Sequence, residues 1–117
     1  MEFEISLENL SFFGYHGVME EEKRLGNEFK VWISIWLPIF DNWGEDSIDS
    51  TISYAELYEI VNKEMEIPRN LLETVAFRIG KEIRRRFPNI SKGKVKIEKV
   101  RPPIPGMLGS ASVSLLF

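Results

Sequence analysis

The chain has 117 residues, 44% hydrophobic and 28% charged, with 15 Lys plus Arg against 18 Asp plus Glu and a formal net charge of −3. With no cysteine and one histidine, His16, it excludes disulfides, thiolate nucleophiles, sulfur-ligated zinc and any three-histidine metal site, so chemistry must rest on Glu, Asp, Lys and Tyr. The longest strongly apolar charge-free run, Val31 to Phe40, is half of the roughly 20 residues a spanning helix needs, and the mild negative charge offers nucleic acid no electrostatic attraction.

One domain over residues 1–117 is expected, without repeat, low-complexity tract or dividing linker. The acidic start Met-Glu-Phe-Glu-Ile is unlike a basic secretory leader, which favours the cytoplasm. Residues 3–13 open with alternation, Phe3, Ile5 and Leu7 against Glu2, Glu4, Ser6 and Glu8, the period-two mark of a half-buried strand. A polar loop from Gly14 to Gly26 follows. Phe29, Val31, Ile33, Ile35, Leu37 and Ile39 then place six apolar side chains on one face of a long second strand. Its other face carries Trp32 and Trp36, too apolar for simple exposure, and is expected to meet another layer or another subunit. Pro38 lacks an amide hydrogen and suggests an edge or a bulge.

After an acidic loop over Asp41 to Ser50, Ser53 with Glu56 three residues on has capping-box spacing, and Leu57, Ile60, Val61 and Met65 continue at helical intervals to Pro68. Asn70 with Glu73 repeats the spacing. Leu72, Val75, Ala76, Ile79 and Ile83 line one face of a second helix, Arg84, Arg85 and Arg86 suit its negative end, and Pro88 stops it. Lys94 to Val100 and Ser110 to Phe117 close the chain as two strands. The order ββααββ implies an α+β, two-layer fold, a four-stranded antiparallel sheet with two helices on one face. Two open sheet edges and an apolar second face point to a homo-oligomer, its sheets joined between subunits into a barrel.

Among polar residues Lys99 stands out, because Val95, Ile97 and Lys99 share one face of the third strand while Lys94, Lys96 and Glu98 share the other. A lysine on the buried side is either a desolvated proton carrier or a strand-end residue that snorkels to water. By spacing alone, Glu73 caps its own helix, Glu22 belongs to a solvated charge run, Tyr54 is a packing staple and His16 is a hydrogen-bonded structural residue.

Four separated segments carry a more specific signal: Phe12-Phe13-Gly14-Tyr15-His16-Gly17 with Glu22 five residues after the glycine; Ile52-Ser53-Tyr54-Ala55-Glu56; Asn70-Leu71-Leu72-Glu73; and Lys96-Ile97-Glu98-Lys99 running into Pro102-Pro103-Ile104-Pro105-Gly106. Their order and spacing resemble the dihydroneopterin aldolase family of tunnelling-fold pterin enzymes, over nearly the whole chain. The resemblance implies a homo-oligomer, tetramer or octamer, with a small pterin substrate at subunit interfaces and no cofactor or metal. It further implies that Glu73, beside the Leu72 backbone, anchors the pterin amino group and ring N–H. Tyr54, reaching over from a neighbouring subunit, is then the catalytic tyrosine. By the same resemblance Glu22 holds the hydroxylated side chain and acts with Lys99, which exchanges protons near ring N5. Asn27 stands where many members have Gln, and Ser50 where an aspartate is usual.

Two alternatives follow from the same residues. A dihydroneopterin triphosphate epimerase would turn Lys23, Arg24 or Arg101 toward the triphosphate. A non-catalytic module would bind partners through Trp32 and Trp36 or through Arg84 to Arg86. The zinc-dependent pyruvoyl-tetrahydropterin synthase branch of the fold is excluded by the histidine count.

Overall fold

The computed structural model describes residues 1–39 and 43–117. The elements are β1 (Glu2–Gly14), α1 (Glu20–Leu25), β2 (Asn27–Pro38), α2 (Tyr54–Met65), α3 (Leu72–Arg86), β3 (Lys92–Lys99) and β4 (Ala111–Leu116), with two 3₁₀ turns at Trp43–Glu45 and Ile48–Ser50. The strands pair antiparallel in the order β1-β2-β3-β4, leaving β1 and β4 as edges. Apart from α1, this is the ββααββ order the apolar periodicity predicts. Among the described residues no helix is long and apolar enough to cross a membrane.

The odd-numbered face of β2 is the core face. Phe29, Val31, Ile33, Ile35 and Leu37, with Val95 and Ile97 of β3, are buried against Leu57, Val61 and Met65 of α2 and against Leu72, Val75, Ala76, Ile79 and Ile83 of α3. Burying these branched side chains supplies most of the folding free energy, at about 25 cal/mol per Å² removed from water. On the opposite face Trp32 and Trp36 are only half-buried, and the chain's own lysines cover them: Lys96 Nζ lies 5.0 Å from the Trp32 ring and Lys92 Nζ 4.8 Å from the Trp36 ring.

Four local expectations change. β1 does not alternate throughout, because a bulge between Leu7 and Leu10, with Asn9 at φ 56°, shifts its register against β2. Odd residues Ile5 and Leu7 face the helices before it and even residues Leu10 and Phe12 after it, opposite Val31 and Phe29. Pro38 lies on a central strand, not an edge. The Ile39 amide donates to Met1 C=O (3.2 Å), so the Pro38 nitrogen points the other way, past the start of β3 at Lys92 opposite Trp36. The stretch from Gly14 to Gly26 is not all loop but contains α1. The acidic loop partly lies outside the described residues at positions 41 and 42, and its remainder holds the two 3₁₀ turns.

Neither capping box forms. Ser53 is the N-cap of α2 but makes no side-chain cap bond, and Glu56 instead reaches across to Arg86 of α3 (3.2 Å). The N-cap of α3 is Leu71, one residue later than the spacing suggests. Glu73 therefore falls on the second helical residue, not the third, and its exposed carboxylate has no hydrogen-bond or ionic partner among the described residues. A free acid at the positive end of a 15-residue helix is held favourably by the dipole while remaining open to a ligand.

Candidate functional site

The site grows from the end of the sheet where β1 stops and β3 ends. The register places Lys99 opposite Phe29 of β2 and Ala111 of β4, on the core face, where its side chain keeps only 14% of its surface. Directly against its Nζ lies a carboxylate oxygen of Glu22, whose side chain is 6% exposed. Glu22 comes from α1, which explains how one residue of Glu20-Glu21-Glu22-Lys23-Arg24 is buried while its neighbours stay wet. The solvated-run reading of Glu22 is thus corrected, and the snorkelling reading of Lys99 is corrected with it. A signal for α1 was present in the sequence: three acids followed by two bases complement the dipole of a short helix, and Gly26 at φ 74° ends it.

The second Glu22 oxygen accepts from the Met19 amide (3.4 Å). Gly17 closes the space over the carboxylate. Its φ of 149° lies where L side chains rarely go, and a Cβ there would stand 2.3 Å from Glu22 Cδ. Beside it, His16 is 1% exposed and packs edge-on to Phe29, with ring centroids 5.1 Å apart. Burial pushes its imidazole below the ordinary 6.5, the charges of Lys99 and Arg69 act in the same direction, and the Met65 backbone opposes them in part. Held neutral, its Nδ1 accepts from the Arg69 amide (3.2 Å), which leaves the ring proton on Nε2. The hydrogen-bonded structural reading of His16 describes this geometry.

The Gly17 amide returns a bond to Arg69 C=O (2.9 Å), so the residues just after β1 hold the turn between α2 and α3 at two points. Asn70, Leu71, Leu72 and Glu73 follow directly from that turn. Leu72 is buried, Leu71 is half-exposed and Glu73 is open, so the start of α3 and the Glu22–Lys99 pair lie at one end of the molecule. Asn27 braces the floor, donating to Arg101 C=O (2.7 Å) just beyond β3.

Tyr54 is elsewhere. It opens α2, whereas His16 lies by the other end of that helix at Met65, eleven residues and about 16 Å along the axis. The residue is 65% exposed, in a shallow surface depression with Phe3, Glu4, Ile5, Ser6, Trp43 and Thr51. One chain therefore brings Glu22 and Lys99 together, sets Glu73 at the same end and leaves Tyr54 out. Around that end Phe13, Tyr15, Val18, Met19 and Leu25 are all exposed apolar residues. Patches of this kind mark surfaces that another molecule covers.

The arginine run is used internally. Arg84 donates to Ile90 C=O (2.9 Å) and Ser91 C=O (3.1 Å), Arg85 pairs with Glu82 and Arg86 with Glu56.

Comparison with known proteins agrees along the whole chain. A family model described as FolB: Dihydroneopterin aldolase matches residues 5–116. The chain is 37% identical over 112 residues to the dihydroneopterin aldolase of Bacillus subtilis (strain 168), covering 95% of this chain and 93% of that protein. It is 39% identical over 104 residues to the probable dihydroneopterin aldolase 3 of Arabidopsis thaliana, covering 88% of this chain and 65% of that one. In fold it matches E. coli dihydroneopterin aldolase, solved in complex with neopterin, with a TM-score of 0.81, 24% identity and 98% coverage of each chain.

Proposed function

The chain belongs to the dihydroneopterin aldolase family, and we propose that it cleaves 7,8-dihydroneopterin by a retro-aldol reaction to 6-hydroxymethyl-7,8-dihydropterin and glycolaldehyde, a step of folate biosynthesis. The observation that carries this reading is the buried Glu22–Lys99 pair, with the Glu73 carboxylate, unpartnered among the described residues, at the same end of the molecule. The names of the matched relatives favour the aldolase over the triphosphate epimerase.

The substrate supplies its own electron sink, a ring C=N beside C1′, the retained carbon of the bond that breaks. In the proposed mechanism a proton leaves the 2′-hydroxyl, the C1′–C2′ electrons move into the ring, glycolaldehyde departs, and the enamine takes a proton back at C1′. No net proton is gained or lost. Glu73 has two oxygens that suit the parallel amino and ring N–H donors of the pterin, a fork that fixes orientation as well as affinity. Glu22 takes the hydroxylated side chain, Lys99 exchanges protons near N5, and Tyr54 completes the acid–base set. Positioned proton carriers contribute on the order of 10²- to 10⁴-fold. Because the sink is in the substrate, neither metal nor Schiff base enters this mechanism.

We also propose that the working form is a homo-oligomer, tetramer or octamer, with its sheets joined at the β1 and β4 edges and Tyr54 supplied by a neighbouring copy. The open edges, the exposed apolar rim and the distance of Tyr54 from Lys99 support it. The even face of the sheet, with Trp32 and Trp36 under their lysines, then turns toward the barrel interior. The cytoplasm is the compartment this reading expects.

Product analysis tests the function. Incubation with 7,8-dihydroneopterin should release glycolaldehyde and 6-hydroxymethyl-7,8-dihydropterin in equal amounts. The C2′ epimer without aldehyde would overturn the aldolase reading.

A further inference from the structure

The proposed mechanism leaves the single histidine unused, although it is the most deeply buried ionisable side chain among the described residues. His16 touches neither Glu22 nor Lys99 by a hydrogen bond. What it binds is backbone: Nδ1 accepts from the amide of Arg69, while the next residue, Gly17, donates to the carbonyl of the same Arg69. Two bonds to one residue define both the position and the direction of the chain there. Four residues later that chain presents Glu73. On its other side Gly17 lies against the Glu22 carboxylate, so closely that a methyl group would overlap it. The segment from His16 to Gly17 is thus the physical link between the acid at the start of α3 and the buried pair formed by α1 and β3.

We propose that His16 is a positioning residue for this site, its bond from the Arg69 amide fixing the Glu73 end of α3 at a set separation from the Glu22–Lys99 pair. The inference rests on the pterin reading above, in which Glu73 takes the ring and Glu22 with Lys99 takes the side chain. A ligand gripped at both ends then senses that separation. A ligand gripped at one end does not.

The groups facing His16 are consistent with an acceptor role that requires the neutral ring. Phe29 of β2 packs on it, Lys99 of β3 and Arg69 of the turn both disfavour a charge there, and the carboxylates beside those cations are already paired, Glu22 with Lys99 and Glu64 with Arg69. An imidazolium would lose the acceptor and add a third cation. A neutral isostere of Nδ1 should therefore replace the histidine. Asparagine fits, because its side-chain oxygen occupies the place of Nδ1, whereas phenylalanine fills the same volume with no acceptor.

The test uses two ligands. Neopterin has the pyrimidine donors and the hydroxylated side chain; guanine presents an equivalent amino and ring N–H pair but no side chain. His16→Phe should weaken neopterin binding by about tenfold, the equivalent of roughly one hydrogen bond, and leave guanine within about twofold of the wild type. The retro-aldol kcat should fall further, since misplacing reacting groups by about 1 Å costs on the order of 10²-fold. His16→Asn should restore neopterin affinity. If His16→Phe does not fold, His16→Leu, which also lacks an acceptor, makes the same comparison. Equal loss for both ligands would assign His16 to general stability and overturn the proposal, as would unchanged neopterin binding. Failure of the pterin reading is distinguishable, because the wild type would then bind neither ligand.

Discussion

The two ends of α2 set opposite conditions for chemistry. At the Met65 end the side chains are buried and committed: Lys99 holds Glu22, Gly17 covers it, and His16 with Gly17 holds Arg69. At the Tyr54 end Tyr54 and Phe3 are exposed, and the Tyr54 hydroxyl has no hydrogen-bond partner among the described residues. A proton carrier is useful only where its geometry is settled before the substrate arrives, and the Met65 end meets that requirement in a single chain. The Tyr54 end meets it only if a second molecule packs over it. The contrast explains how a 117-residue protein without metal-ligating sulfur can hold a site of this kind. In the proposed assembly the buried Met65 end supplies Glu22 and Lys99, and a neighbouring copy supplies Tyr54.

The largest effect should come from the committed end. Lys99→Ala is expected to lower kcat on the order of 10²- to 10⁴-fold, read by glycolaldehyde release. It also strands a buried carboxylate, which destabilises the fold by up to about 3 kcal/mol in a thermal or urea melt, the lower edge of the range because the lysine keeps 14% of its surface. Lys99→Met combined with Glu22→Leu should recover most of that stability without recovering any activity. Recovery of both would show that the pair serves folding alone.

Tyr54→Phe should lower activity by a similar chemical factor but leave the melt unchanged, because the hydroxyl is solvent-exposed. The sharper experiment mixes inactive Tyr54→Phe subunits with inactive Lys99→Ala subunits after dissociation. If each site draws Lys99 from one copy and Tyr54 from another, random reassembly gives about one intact site in four, and activity returns to roughly that fraction of wild type. No recovery in demonstrably mixed oligomers would return both residues to one chain and remove the comparison between the two ends.

How much of this was legible in the sequence follows from how local each signal is. Val31, Ile33, Ile35 and Leu37 announced β2 and its core face because strand burial repeats every second residue. Leu57, Val61 and Met65 did the same for α2 at helical spacing. Glu56 and Glu73 misled as caps, because the spacing of a capping box cannot show that Arg86 lies across the helix pair, nor that α3 starts at Leu71. The β1 bulge was hidden for a similar reason: Glu8-Asn9 breaks the alternation by two polar residues, which sequence alone does not distinguish from the end of a strand. Glu22 and Lys99 are 77 residues apart, and their contact exists only once β3 has paired with β2 and α1 has folded over it. Family resemblance could name both residues, while their burial as a pair came from the structure.

A smaller effect is expected at Gly17. Alanine there meets both an unfavourable φ of 149° and a Cβ contact of 2.3 Å with Glu22. Strain of this kind costs about 1–3 kcal/mol. The displaced carboxylate should take activity down by about tenfold or more, while guanine affinity, which the proposed reading assigns to Glu73, stays near wild type. Loss of guanine affinity to the same extent would mean that the two ends of the ligand site move as one.

The smallest effect is a slope in stability against pH, and the single histidine makes it assignable. His16 has its folded pKa depressed, mainly by burial, below the 6.5 of an unperturbed imidazole. Above about 6.5 the ring is neutral in both folded and unfolded chains and contributes no pH dependence. As the pH falls below that value, the unfolded chain takes up a proton that the native site resists, so stability is lost with a limiting slope of about 1.4 kcal/mol per pH unit until the depressed native pKa is reached. Carboxylates titrate mostly lower, near pH 4, and there is no second histidine to share the interval. Urea melts of wild type and His16→Asn between pH 7 and pH 5 should therefore diverge, the wild type losing stability on acidification and the variant holding nearly level. Parallel curves would mean that His16 accepts a proton in the native state as readily as in the unfolded one, and that its bond from Arg69 is too weak to hold the Met65 end of the molecule in register.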